Sequence, residues 1–261
     1  MSDILIESGQ GVSRLTLNRP EALNAFAGEM RQELIDALDL IRADEKVRCV
    51  ILTGAGRGFC SGGDVKAMRA LQVEGDVEGF SGLLEAGKDI VTRIRELPQL
   101  VIAMVNGVAA GAGCNLALAC DYRIASTQAK FGQTFVKIGL HPDWGGTWFL
   151  PRLVGTSKAL EIAMTGRMVE AAEALEIGLV DRVVDAEKLE EETMRLANVI
   201  AAGPPLAIRE MKRAVWAAAT NTLDEQLALE AGIQKLAFLS ADSREGIEAF
   251  LEKRAAHFRG R

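Results

Sequence analysis

Histidine and cysteine are scarce in this chain of 261 residues, which contains two histidines and four cysteines. The cysteines lie in apolar or glycine-rich stretches and form no Cys-x-x-Cys pair; they are Cys49, Cys60, Cys114 and Cys120. Without such pairs and with so few histidines, the sequence lacks the usual zinc ligand sets. We therefore expect no metal site, and four buried, reduced thiols.

Long apolar runs and blocks of basic residues are also missing. No apolar run reaches the roughly 18 residues that a membrane-spanning helix needs, and the N-terminus lacks the basic and apolar regions of a signal peptide. The formal net charge is -6, and lysine and arginine are interspersed with acidic residues. We therefore expect a cytoplasmic protein that binds neither membranes nor nucleic acids.

The residues that are present indicate an ordinary globular chain. Hydrophobic residues make up 49% of the sequence and charged residues 25%, so the chain can bury a large core. The 26 glycines indicate many tight turns. The length suits one large domain with an appendage.

Strands and helices alternate through the first two thirds of the chain. Residues 3–7 and 12–17 flank Gly9-Gln10-Gly11 and predict a β-hairpin. Helical spacing over 27–43 and 83–96 alternates with short apolar runs typical of buried strands. These runs cover 47–53, 100–105 and 122–125. The pattern predicts an α/β core of parallel or stacked strands covered by helices.

Beyond residue 156 the sequence predicts helices almost throughout, with one short strand over 178–184. Two capping boxes mark helix starts, Thr222 with Glu225 and Asp242 with Glu245. We divide the chain into a core of residues 1–195 and a C-terminal helical region of residues 196–261. The apolar faces of the last helices serve either an oligomer interface or the packing of the core.

Two glycine-rich loops each follow a predicted strand and lead toward a helix. They are Phe59-Cys-Ser-Gly-Gly-Asp64 and Gly111-Ala-Gly-Cys-Asn115. Small residues and a helix N-terminus expose main-chain amides to a ligand that carries negative charge, although tight turns without a ligand would look the same. The dinucleotide, P-loop and serine-hydrolase motifs are not matched.

Five segments together resemble the crotonase superfamily, the enoyl-CoA hydratases and isomerases. They are Leu17–Asn24, Arg57–Asp64, Val105–Cys114, Ala129–Gly132 and Glu245–Arg254, in the family's order and spacing. The resemblance implies a spiral of ββα units, a C-terminal helical trimerisation region, and assembly as a homotrimer or a dimer of trimers. It also implies an acyl-CoA thioester as substrate and no separate cofactor, since coenzyme A is part of the substrate.

The resemblance assigns roles to residues of both glycine loops. The main-chain amides of Ser61 and Ala112 would hold the thioester oxygen as an oxyanion hole. The residues implied to line the coenzyme A channel are Ala22, Leu23, Gly62, Gly63 and Asp64, and Lys253 resembles the lysine that reaches the nucleotide phosphates. From the sequence alone, a solvated basic helix end is the preferred explanation of Lys253, because its neighbours Arg254 and Arg259 are also basic.

The sequence departs from the family's hydratases at two positions. The glutamates that activate water are replaced by Asn115 and Phe135, neither of which is a general acid or base. Asp143 stands where some isomerases of the family carry their acid, and Phe135 and Trp144 make its surroundings apolar. We therefore predict allylic isomerisation with Asp143 as the catalytic residue.

Other interpretations remain open at this point. Asp143 could instead cap the following helix, and His141 could take part in the chemistry or lie on the surface. Three stretches (106–113, 139–148, and 220–227 with 240–242) resemble family members that isomerise a ring-epoxide CoA thioester. Hydration, aromatic ring closure of the naphthoyl-CoA synthase kind, and acyl-CoA binding with little catalysis are the competing functions.

Overall fold

The computed structural model describes residues 2–260, which form two sheets and a set of covering helices. The strands are β1 (Ile4–Gly9), β2 (Val12–Leu17), β3 (Cys49–Gly54), β4 (Gly58–Cys60), β5 (Leu100–Val105), β6 (Val108–Ala110), β7 (Tyr122–Ser126), β8 (Lys130–Gly132), β9 (Met168–Glu170) and β10 (Arg182–Val184). The helices of the first half are α1 (Met30–Ala43), α2 (Val65–Glu74), α3 (Val77–Glu96), α4 (Ala112–Ala119) and α5 (Gly146–Val154). Those of the second half are α6 (Thr156–Thr165), α7 (Ala171–Glu176), α8 (Leu189–Ala201), α9 (Pro205–Ala217), α10 (Leu223–Phe238) and α11 (Ala241–Glu252).

The two sheets arise from one repeated step. The larger sheet has the order β1-β2-β3-β5-β7-β10, and the smaller has the order β4-β6-β8-β9. The long strands β3, β5 and β7 of the larger sheet are each followed by a short strand of the smaller sheet. The pairs β3-β4, β5-β6 and β7-β8 are therefore repeats of one unit, and a helix follows each pair. All pairs are parallel except β1 with β2 and β8 with β9. The predicted α/β spiral of ββα units is confirmed.

Apolar spacing accounts for the elements next to the site. The predicted helical spacing of Met30, Leu34, Leu38 and Ile41 places all four on the buried face of α1. Strand β3 is buried along its full length, as its continuous apolar run predicts. The main core lies between the sheets and helices α1, α3 and α4. The glycine loops are thus attached to well-packed elements.

Several boundaries differ from the prediction. The helix predicted over 83–96 begins earlier, at Val77, and the strand predicted over 178–184 is shortened to β10. Helix α2 is the helix predicted, without bounds, after the first glycine loop; it begins after Asp64, whose carboxylate accepts the amides of Lys66 and Ala67. Since α2 leaves no side chain fully buried, its sequence carries only a weak periodic signal.

The two capping predictions have opposite outcomes. Thr222 and Glu225 form the complete capping box at the start of α10, as predicted. The second prediction is wrong, because Ser240 caps α11 and accepts the amide of Ser243. The Asp242 carboxylate instead accepts the amides of residues 259 and 260, which fold back onto the helix.

The C-terminal helices continue directly from the core. The boundary predicted at residue 195 falls inside α8, which packs on the larger sheet. A buried ion pair of 2.7 Å between Lys212 and Asp121 ties α9 to the same sheet. Large apolar side chains of α10 and α11 are exposed in the single chain, among them Leu236, Phe238, Phe250 and Leu251. No helix among residues 2–260 is both long and apolar enough to cross a membrane.

Candidate active site

A small cavity of about 90 Å³ brings seven of the predicted residues together. It lies where the loop after β4, the start of α4 and the segment before α5 meet. The predicted residues that line it are Ser61, Gly62, Gly63, Ala112, Phe135, Asp143 and Trp144. Ala22, Leu23, Asp64 and Lys253 do not line this cavity.

The amide of Ala112 is a free donor at the cavity wall. Ala112 is the first residue of α4, so its N–H has no acceptor within the helix. Among residues 2–260 the Ala112 amide donates no hydrogen bond, whereas the Gly111 amide donates to the carbonyl oxygen of Gly132. The partial positive charge of a helix N-terminus adds to this donor. Ala112 is therefore suited to hold a developing oxyanion.

The prediction for Ser61 is wrong. Its N–H already donates to the carbonyl oxygen of Leu23 at 2.9 Å, and its hydroxyl donates to the carbonyl oxygen of Ala22 at 3.2 Å. The amide is therefore committed within the fold and cannot bind a ligand without breaking that bond. Ala22 and Leu23 hold the glycine loop in place through their main-chain oxygens.

The amide of Gly63 takes the place predicted for Ser61. Phe26 pairs with this residue in a parallel bridge: the Phe26 amide donates to Gly62, and the Asp64 amide donates to Phe26. In such a bridge the middle residue turns its own N–H to the opposite side. The Gly63 amide donates no hydrogen bond within residues 2–260, and Gly63 lines the cavity.

The two free amides belong to segments in direct contact. Gly62 has φ of +100°, a conformation that other residues rarely adopt, and a Cβ there would lie 2.8 Å from the Ala110 oxygen and 3.3 Å from the Ala112 nitrogen. Only glycine lets the loop after β4 approach the start of α4 this closely. The sequence could not distinguish Ser61 from Gly63, because pairing with residues 23–26 decides which amide of the loop is free.

Asp143 is the only carboxylic acid among the described residues that line the cavity. Its side chain is half-buried, and its Oδ1 atom is buried without a hydrogen-bond partner in the described chain. Burial raises the pKa of this carboxyl group above its ordinary value, and a hydrogen bond from its own amide and the charges of His141 and Arg31 oppose that shift only in part. A raised proton affinity suits a group that takes up a proton and returns it.

The alternative in which Asp143 caps a helix is wrong. The N-cap of α5 is Gly145, and the Asp143 side chain accepts no amide of that helix. The Asp143 carbonyl oxygen instead accepts the Gly146 amide at 2.8 Å. The side chain is left free to face the cavity.

A clamp missed by the sequence analysis fixes the segment that carries Asp143. The side-chain amide of Asn115 donates to the Asp143 carbonyl oxygen at 2.8 Å. Gln133 in turn donates to the Asn115 side-chain oxygen at 2.6 Å. Both side chains are fully buried, so the bonds are protected from water. Asn115 is therefore a structural support for the segment that carries Asp143.

Aromatic packing supports the same segment from the other side. Trp144 adopts φ of +48° and is buried, with its ring 4.7 Å from that of Phe26. A Cβ on Gly87 of α3 would collide with the Trp144 indole, so glycine is required there. Phe135 lies in a short 3-10 helix, Thr134–Ile138, and adds an apolar side chain to the cavity wall.

The remaining predicted residues lie outside the cavity. Asp64 caps α2, and Lys253 is exposed at the C-terminal end of α11, in the left-handed conformation with φ of +59°. His141 is exposed and lines a neighbouring groove of about 510 Å³ that shares Asp143 and Trp144 with the cavity.

A second, mainly apolar groove of about 350 Å³ opens between α2 and α3. No cluster of three or more potential metal ligands occurs among residues 2–260.

Comparisons with known proteins define the class of this site. Residues 7–261 match the family model of enoyl-CoA hydratase/isomerase. A crystal structure of enoyl-CoA hydratase from Bacillus anthracis superposes with a TM-score of 0.95 at 35% identity, covering 99% of this chain and 100% of that one. The chain therefore belongs to the enoyl-CoA hydratase/isomerase family and has the crotonase fold.

Two curated relatives carry different activities in their names. A 1,2-epoxyphenylacetyl-CoA isomerase from Escherichia coli is 45% identical, with 100% of both chains covered. A probable enoyl-CoA hydratase from Rhodobacter capsulatus is 44% identical over 99% of this chain and 98% of its own. The chain is thus an enzyme of a family that acts on acyl-CoA thioesters, and overall similarity does not separate isomerase from hydratase.

Proposed function

We propose that this enzyme is an acyl-CoA isomerase that works through a thioester enolate. The observation that carries the proposal is the pairing of a single carboxylic acid, Asp143, with two unbound amides, those of Gly63 and Ala112, in one cavity. A hydratase needs groups that activate and position water. Here Asn115 is committed to the main chain, and Phe135 is apolar.

The proposed reaction moves one proton between two carbons. The ionised Asp143 removes a proton from the α-carbon of a 3-enoyl thioester, and the electrons of that C–H bond pass into a dienolate. The amides of Gly63 and Ala112 donate hydrogen bonds to the oxygen on which the charge develops. Each such donor contributes roughly 10²–10³ in rate. Asp143 then returns the proton to the γ-carbon, and the double bond moves from position 3 to position 2.

The acyl group is proposed to be aromatic or apolar. The cavity wall contains Phe135 and Trp144, and the groove between α2 and α3 continues it with apolar side chains. The E. coli relative is named for an epoxyphenylacetyl-CoA substrate. We therefore propose 2-(1,2-epoxy-1,2-dihydrophenyl)acetyl-CoA isomerase or Δ3,Δ2-enoyl-CoA isomerase as the activity. The alternative is enoyl-CoA hydratase, the activity in the name of the R. capsulatus relative.

The coenzyme A portion is proposed to run along the outer side of the first glycine loop. Ala22 and Leu23 lie there, bonded to Ser61, and Asp64 follows at the start of α2. Lys253 is proposed to reach the nucleotide phosphates of coenzyme A bound to a neighbouring subunit, because it is exposed at the end of α11, a helix whose apolar side chains are also exposed. Site-directed change of Lys253 to Ala should weaken acyl-CoA binding and leave kcat nearly unchanged.

Assembly as a homotrimer or a dimer of trimers forms part of this proposal, with residues 196–261 as the oligomerisation region. The exposed apolar side chains of α10 and α11 support it, since single chains rarely leave such a cluster in water. Size-exclusion chromatography with light scattering tests it. A monomer at micromolar concentration would contradict the assembly without affecting the proposed chemistry.

The deciding experiment compares three substrates. Wild-type enzyme should turn over 3-enoyl-CoA or the phenylacetyl epoxide thioester and should hydrate 2-enoyl-CoA poorly. Asp143→Asn should abolish isomerisation while still binding acyl-CoA, and Asp36→Asn, an exposed aspartate of α1, is the matched control. Rapid hydration of 2-enoyl-CoA by the wild type would overturn the proposal.

A second variant tests the oxyanion hole. Ala112→Pro removes the N–H at the first position of a helix, where proline is tolerated. We expect kcat to fall by about 10²–10³, the contribution of one oxyanion donor. An unchanged kcat in a folded variant would show that this amide does not hold the reacting oxygen.

A further inference from the structure

A buried cation of the cavity has no role in the chemistry described so far. Arg31 lies in the first turn of α1, its side chain is 8% exposed, and it lines the same cavity as Asp143. One terminal nitrogen donates to the Phe26 carbonyl oxygen at 3.4 Å, and the guanidinium lies 5.5 Å from the centre of the Phe26 ring. The other terminal nitrogen lies 3.7 Å from the point where Gly63 would carry a Cβ.

The guanidinium is poorly compensated. Its Nε atom is buried without a hydrogen-bond partner, and no carboxylate among residues 2–260 forms an ion pair with it. Burying an unpaired cation is costly, and an apolar side chain of the same length would fill the space at lower cost. The charge itself therefore requires an explanation.

Burial lowers the pKa of the Arg31 guanidinium, and the Cys60 thiol and the carboxyl groups of Asp143 and Asp64 oppose that shift. Asp64 already accepts two amides at the start of α2. The Cys60 thiol is neutral, because burial raises its pKa to about 12. Asp143 has a buried oxygen with no partner and faces the cavity that Arg31 lines. Of the three groups, Asp143 is the carboxyl group that has a buried oxygen without a hydrogen-bond partner in the described chain.

We propose that Arg31 is a positioning residue whose charge keeps Asp143 ionised at neutral pH and so sets the acid limb of the enzyme's pH profile. The inference rests on the proposed function, in which Asp143 must lose its proton before it can accept one from substrate. Arg31 acts across the cavity rather than through a direct ion pair. The Asp143 oxygens therefore remain free to approach the reacting carbons.

The other charges around Asp143 are weaker candidates for this role. His141 of the same segment opposes the rise in the pKa of Asp143 more strongly than Arg31 does when solvent is left aside, but the His141 side chain is exposed and solvent screens its interaction with Asp143. Lys88 and Glu85 of α3 line the adjacent groove and pair with each other at 2.8 Å. The other cavity-lining residues from α2, α4 and the 3-10 helix are uncharged. Arg31 is thus the buried cation that opposes the desolvation of Asp143.

The test is the pH dependence of kcat for isomerisation. Arg31→Met, which keeps the length and removes the charge, should move the acid limb to higher pH, because the ionised form of Asp143 loses a favourable charge. Arg31→Lys should bring the limb back toward the wild-type position. His141→Gln, the matched removal of an exposed group, should move it much less. A limb that stays in place while kcat falls equally at every pH would overturn the proposal.

A second measurement does not depend on the activity. Arg31→Met, Asp143→Asn and the double variant are compared with the wild type by their denaturant midpoints at pH 7. If the two charges interact, removal of Arg31 should cost more stability when Asp143 is present than when it is replaced by asparagine. Additive midpoints would overturn the inference about Arg31. A wild type without isomerase activity would instead count against the proposed function.

Discussion

The hydrogen bond from Asn115 to the Asp143 main chain offers the sharpest test of how the site is held. Asn115→Ala removes two bonds, one of 2.8 Å to the Asp143 oxygen and one of 2.6 Å from Gln133. The Asp143 oxygen keeps the Gly146 amide, but the Gln133 side-chain amide retains only the Cys114 sulfur at 3.6 Å. The variant therefore leaves a largely unsatisfied buried donor beside a small cavity.

The expected loss of stability follows from these partners. An unsatisfied buried polar group costs about 1–3 kcal/mol, and the lost packing of a buried side chain adds about 1 kcal/mol. The free energy of unfolding should thus fall by about 2–4 kcal/mol, measured by urea denaturation. Because the segment that carries Asp143 loses its clamp, kcat should fall about 10- to 100-fold with little change in KM.

Two further variants separate positioning from stability. Asn115→Leu keeps nearly the same side-chain size and removes the donor, so kcat should fall as in the alanine variant. Gln99→Ala removes a buried amide that bonds to the Ile41 and Val47 oxygens far from the cavity, and it should lower stability without lowering kcat. If both Asn115 variants keep kcat within about twofold of the wild type, the clamp does not position Asp143.

Three other predictions follow from burial and capping. Asp143→Asn should raise the denaturation midpoint at pH 7, because a carboxyl group whose pKa is raised in the folded state destabilises the fold once it is ionised. The gain in stability over the wild type should shrink as the pH falls through that raised pKa. Burial raises the pKa of all four thiols to about 12, so a thiol reagent at pH 8 should label the native protein slowly and the denatured protein at four positions; fast native labelling would contradict this burial. Thr222→Ala should lower the free energy of unfolding by about 1 kcal/mol in urea, whereas Thr220→Ala, just outside the capping box, should change it much less.

Elements defined by short-range patterns were predictable. Strand β3 and strand β5 are continuous apolar runs between turns, and α1 carries apolar residues at helical spacing. Such periodicity depends only on neighbours in the sequence, so it survives into the structure. The Thr222 capping box is predictable for the same reason, because both of its partners lie within one turn.

Features that depend on distant partners were not predictable. Asp242 looked like a helix cap, but residues 259 and 260 return to occupy its carboxylate. Ser61 looked like an oxyanion donor, but Leu23 takes its amide and leaves that of Gly63 free. In each case a second segment supplies or removes a hydrogen-bond partner. The local residues are compatible with either outcome.

The sequence by itself determined the chemical groups present at this site. It placed glycine where the loop must pass close to α4, asparagine and phenylalanine instead of acidic residues at positions 115 and 135, and one aspartate ahead of α5. Only the tertiary structure decided which amides remain free, what Asn115 holds and which side chains line the cavity with Asp143. Hydrogen-bond direction and desolvation arise when segments far apart in the chain pack together, and they have no counterpart in the sequence of either segment alone.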